Sequence, residues 1–157
     1  MAKNDLMNGV HDGRTIWHVE QEIRGKKGHA IVPALFIGEV IYASGETGTY
    51  AGVEVIEVAG VKESFAGKMV ILLKDGSVSN QTFEGKGKFE DGRSSGTGRW
   101  KLVKGTGRFA GLRGGGPFEW TVVGDKYDAQ FSATTPRPRR APSRARRRAA
   151  ARNRAGS

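Results

Sequence analysis

The chain has 157 residues, room for one domain with a single core. It carries 24 glycines and a net charge of +10, and 37% of it is hydrophobic; glycine in excess without a collagen period points to a turn-dense β protein, not a helical one. No cysteine is present, which excludes disulfides, thiol nucleophiles and cysteine-ligated metals.

Residues 1–13 contain no apolar leader segment, and the longest apolar run, 69–73, is far too short for a membrane-spanning helix. The expectation is a soluble, cytoplasmic chain with no membrane partner and a flexible N-terminus over 1–13. Over residues 14–23, Trp17, Val19, Gln21 and Ile23 alternate with Ile16, His18, Glu20 and Glu22. That period of two predicts a first strand with Trp17, Val19 and Ile23 facing inward. Residues 30–43 are apolar around Pro33, which suits a strand pair or a short helix ending near Tyr42. Residues 50–59 are valine-rich and read as another strand.

Asp75-Gly76 separates two strand segments, 68–74 and 77–84, and Asp91-Gly92 marks a second hairpin. A third centres on Gly124-Asp125. Before it Phe118, Trp120 and Val122 share one face, and after it Tyr127, Ala129 and Phe131 do the same. About eight strands fit between residues 14 and 133. That is the size of a small closed antiparallel barrel, whose closure removes exposed edges and encloses roughly one ligand. A β-sandwich is the main competitor.

One phrase, Gly-x-Gly-basic-aromatic, occurs three times: Gly85-Lys86-Gly87-Lys88-Phe89, Gly96-Thr97-Gly98-Arg99-Trp100 and Gly105-Thr106-Gly107-Arg108-Phe109. The spacing suits successive antiparallel strands, with glycines where strands bend and aromatics walling the interior. The third copy formally matches the dinucleotide fingerprint. Its flank, Gly111-Leu112-Arg113-Gly114-Gly115-Gly116-Pro117, cannot form the helix that a phosphate site needs.

The stretch from Lys104 through Gly105-Thr106-Gly107-Arg108-Phe109 to Gly111 and Gly114 resembles the glycine signature of the allene oxide cyclase and dirigent barrels. There a Gly-Thr-Gly-x-Phe or Gly-Ser-Gly-x-Phe phrase precedes another glycine near the C-terminal strands. The resemblance implies a calycin-like, eight-stranded antiparallel barrel that forms a homo-oligomer. It further implies binding of a small hydrophobic molecule, with isomerisation or cyclisation that uses no metal and no organic cofactor. None of the family's catalytic residues maps onto an individual position here.

From the residues alone, the candidate cavity wall is Trp100, Phe109, Phe118, Trp120, Tyr127 and Phe131; ordinary core packing is the plainer account of the same aromatics. His18 and Glu20 would sit on one face of a strand, a spacing usable for proton transfer, although an outward polar face explains them equally simply. A cyclase needs one interior carboxylate whose pKa an apolar cavity raises. Glu39, Glu54, Glu57, Glu84 and Glu119 are the candidates, and the sequence does not rank them.

The basicity belongs to the C-terminus. Residues 137–157 hold nine arginines and no acid, leaving 17 cationic and 16 acidic side chains for residues 1–136. With no residue able to form a core, 134–157 is expected to be a disordered tail. It could bind nucleic acid through phosphates, or carry no function, since alanine, arginine, proline and glycine are the residues of GC-rich codons.

Overall fold

Alternation and turn chemistry resolve into nine described strands: β1 Gly9–His18, β2 Gln21–Glu22, β3 His29–Tyr42, β4 Thr47–Ala59, β5 Lys62–Leu73, β6 Val78–Glu90, β7 Arg93–Gly105, β8 Gly115–Val123 and β9 Lys126–Phe131. The computed structural model describes residues 6–124 and 126–131, without the side chains of Tyr127, Gln130 and Phe131; the expected tail, 134–157, lies outside the described residues. β3 to β9 pair antiparallel in chain order, and β1 pairs with both β9 and β3. This closes eight strands into a barrel, while β2 pairs only with the start of β3 and stands outside the ring.

The predicted turns connect strands as their chemistry requires. Asp91 and Gly92 both have positive φ, 54° and 74°, the combination that two-residue hairpins need to match strand twist. Residues 30–43 form neither a strand pair nor a helix but most of one 14-residue strand, β3. Pro33 is tolerated because its carbonyl, and therefore its missing N–H, faces the break between β1 and β2, where it accepts from the Val19 N–H at 3.2 Å.

Three expectations are corrected. The ordered chain starts well before residue 14: β1 begins at Gly9, and Leu6 and Met7 are buried. Within β1 the inward face is His11, Gly13 and Thr15, and a register shift between Thr15 and Trp17 leaves Trp17 and Val19 exposed. Finally, the three copies of the repeated phrase are not equivalent. Its first two copies pair across β6 and β7, with Gly85 opposite Gly98 and Gly87 opposite Gly96. The third leaves the sheet as a 3-10 turn, Gly107–Phe109. Phe89, at 49% exposed, walls nothing.

The inner rings stand over glycines of neighbouring strands. Phe36 is opposite Gly52, Phe83 opposite Gly67, Phe65 opposite Gly85 and Phe118 opposite Gly98. A large ring thus occupies the space that a neighbour's side chain would take, which seals the glycine and fills the barrel at once. The rings touch in sequence: Tyr50 to Phe36 at 5.9 Å, Phe36 to Phe83 at 5.7 Å, Phe83 to Phe65 at 6.0 Å and Phe65 to Trp120 at 5.2 Å. Each such pair contributes about 0.5–1.5 kcal/mol beyond area burial.

The two ends differ. At one, Val40, Tyr42, Ile71 and Leu73 pack with Phe109 and close the barrel. At the other, where the turn at 60–61 and the turn at 91–92 lie, the interior residues are only partly covered. The outer wall of β3 to β5 carries exposed Leu35, Val53, Val55 and Val70.

Candidate functional site

The inward positions of β4, β5 and β7 near the open end bring polar groups into an aromatic-lined space. The cavity there has a volume of about 110 Å³. That is somewhat smaller than the ~150 Å³ engineered cavity that admits benzene. Phe36, Phe65, Phe83 and Trp120 supply its walls, with Met69 and Val122. Glu54, Glu63, Thr15 and Ser94 also line it. A wider depression on the outer wall over Ser64, Ala66, Gly85 and Gly98, about 640 Å³, is open to solvent.

Glu54 follows Gly52 and precedes Ile56 on the inward face of β4, and it stands opposite Gly67 of β5. Gly67 makes room for it: a Cβ there would lie 2.9 Å from the Cβ of Glu54. Glu63 shares the inward face of β5 with Phe65 and Met69. The Ser94 hydroxyl donates to Glu63 Oε1 at 2.9 Å and orients it. Burial, followed by the negative charge of Glu63, pushes the Glu54 carboxyl up to about 7. Near neutral pH Glu54 therefore exchanges its proton readily beside a second inward carboxyl.

This shift makes stability depend on pH. Folded Glu54 holds its proton through a range in which the unfolded residue has lost it. The stabilisation is complete below the ordinary glutamate pKa and disappears as pH rises through about 7. The wild type should lose on the order of 2 kcal/mol relative to Glu54→Gln between about pH 4.5 and 7, after allowance for partial solvent access. Urea unfolding of both proteins across that window checks it, and parallel pH profiles would remove Glu54 as the titrating group.

Of the aromatics expected to wall a cavity, the structure brings Trp120 to it. Phe118 is buried beside it, its ring 6.2 Å from Phe65. Trp100 is buried opposite Gly116, and Phe109 plugs the closed end. The side chains of Tyr127 and Phe131 lie outside the described residues. His18 and Glu20 are exposed, His18 at the last position of β1 and Glu20 in the link to β2, so they form an outward polar face. Among the candidate carboxylates Glu54 points inward, while Glu39, Glu57, Glu84 and Glu119 are exposed.

Sequence reasoning missed Glu63, Phe36, Phe65 and Phe83. Extending the Phe65-Gly67-Met69 alternation back by two residues would have found Glu63. It also missed His11, which is buried and stacked on Tyr50 with ring centroids 4.7 Å apart. Burial lowers the imidazole to about 4, so it is neutral at neutral pH. Among the described residues no three His, Asp or Glu side chains gather as a metal site would require, and no helix is long and apolar enough to cross a membrane.

No family model, no curated protein and no solved structure matches the chain.

Proposed function

We propose that this barrel is a receptor for one small, largely apolar molecule, held in the cavity at its open end. The observation that carries this reading is an aromatic-walled interior space of about 110 Å³ with two carboxyls facing into it. A barrel serving only as scaffold has no use for inward glutamates near its mouth, because each costs desolvation that an apolar residue avoids. A second reading, cofactor-free isomerisation, draws on the same pair. A protonated Glu54 and an ionised Glu63 are a donor and an acceptor, the minimum for moving a proton between two atoms of a neutral bound molecule without redox change.

The test is binding of a neutral six-carbon probe. Cyclohexanol should bind saturably, with a Kd on the order of 1 mM for so few atoms. It should shift the NMR signals of the Ile56, Met69 and Val122 methyl groups. Val122→Phe, which fills the mouth from β8, should abolish binding in a folded protein. No saturable binding to the folded wild type would rule the reading out.

A further inference from the structure

We propose that the open-end cavity selects a small organic ammonium ion, a protonated amine on an apolar body of about six carbons. This rests on the open-end cavity being the ligand site.

The lining residues contain two carboxyls and no lysine, arginine or histidine. An anionic ligand would meet only repulsion there, and a neutral one would leave a carboxylate facing apolar surface without a counter-charge. The walls argue separately for a cation. Phe36, Phe65, Phe83 and Trp120 ring the space, and the faces of such rings attract ammonium groups, tryptophan most strongly. Aromatic enclosure combined with carboxylate is how ammonium ions are taken out of water without losing charge compensation.

Glu63 is held by Ser94 and supplies the fixed charge. Glu54 becomes the second charge when the ammonium enters, so binding releases its proton. The groups facing Glu54 across the cavity from the other elements are Thr15, Phe36, Phe83, Ser94 and Trp120, which carry no charge, and Glu63, which does. Affinity for the cation should therefore rise with pH up to about 7, where Glu54 loses its proton unaided, and level off above it. A bound ammonium would turn the pair from donor and acceptor into two acceptors. The protein would then be an amine receptor and not an isomerase for neutral molecules.

The experiment compares two probes of one shape on the full chain by calorimetry: cyclohexanol and 2-aminocyclohexanol, which is cationic at about pH 8 and below. The amine should bind at least about tenfold more tightly at pH 8, and its advantage should fall by up to about tenfold per unit below pH 7. In Glu54→Gln/Glu63→Gln the advantage should vanish while cyclohexanol still binds, which also shows that the variant is folded. Equal affinities for the two probes overturn the proposal and leave the receptor reading standing. An amine preference that survives in the double variant, or that ignores pH in the wild type, places the amine elsewhere and overturns it too. If neither probe binds, the proposal and the receptor reading fall together.

Discussion

Replacing Phe109 with alanine is expected to cost about 3–5 kcal/mol of stability, the range for emptying a well-packed aromatic site. Phe109 is 1% exposed and packs against Tyr42 with ring centroids 6.3 Å apart. The size of the loss follows from what holds the plug in place. The Thr106 N–H donates to the Val78 carbonyl at 2.8 Å, and the Val78 N–H donates to Thr106 Oγ1 at 3.1 Å. The Arg108 N–H donates to Ser77 Oγ at 3.0 Å, and the Arg108 guanidinium pairs with Glu46. Because these clamps are made by backbone and neighbouring side chains, the alanine variant keeps its turn and cannot collapse into the void. The cavity term is then felt in full.

Arg108→Ala provides the contrast. Both partners of its ion pair are partly exposed, so its loss should cost within about 1 kcal/mol. Urea unfolding of the two variants reads the difference directly. Since a domain of this kind holds only about 5–15 kcal/mol in total, the phenylalanine variant should also show a markedly lower midpoint. A loss below about 1.5 kcal/mol would mean that the closed end relaxes freely and that the 3-10 turn is not a plug.

The same plug shows what could be read from the chain and what could not. Asp75-Gly76 and Asp91-Gly92 were legible because a short turn is specified by its own residues: Gly76 supplies the positive φ of the four-residue connection 74–77, and Asp91-Gly92 is a two-residue turn. Trp120 was legible as an inward residue because alternation with Phe118 and Val122 is a local signal. Phe109 looked like its counterparts in the other two phrases, yet it leaves the sheet. A Cβ on Gly105 would lie 2.4 Å from the Cβ of Phe109, so the chain closes on itself there, and nothing in the repeated phrase announces it.

Glu63 was hidden for a different reason. The start of β5, Lys62-Glu63-Ser64, has no apolar residue of its own, so its face shows only when the Phe65-Gly67-Met69 alternation is carried back into it, and its neighbours are strands from either side in the sequence. The buried His11 sits between Asp12-Gly13 and Asn8-Gly9, dipeptides that read as loop. Its place depends on Tyr50, which stacks on it and lies opposite Gly38. Fold class is thus a property of local pattern, whereas the cavity depends on partners supplied by neighbouring strands. That is why the barrel could be expected and its mouth could not.

Gly96→Ala should be among the most damaging small substitutions in the barrel wall, at about 3 kcal/mol, the top of the usual range for overpacking. Gly96 of β7 lies opposite Gly87 of β6 on one side and Trp120 of β8 on the other. A Cβ at position 96 would stand 2.1 Å from the Lys86 carbonyl oxygen and 2.6 Å from the Gly87 Cα. Both are backbone, so no side chain can swing away and β6 must part from β7. At Gly85 the added Cβ would meet Phe65 Cζ at 2.4 Å, a ring tip able to move, and the Thr97 carbonyl at 2.9 Å, so a smaller cost is expected. At Gly76 nothing lies within 4 Å, and only the positive φ of 85° resists a side chain, worth about 1 kcal/mol. The order Gly96, Gly85, Gly76 in urea unfolding would show that the paired glycines serve close approach of strands. The reverse order would show that they serve backbone conformation, as turn glycines do. Parting β6 from β7 also displaces Gly87, over which Trp120 rests at 2.7 Å from a would-be Cβ. Gly96→Ala should therefore weaken cyclohexanol binding even where the protein remains folded, because the glycine pair that lets the strands meet also seats the cavity wall.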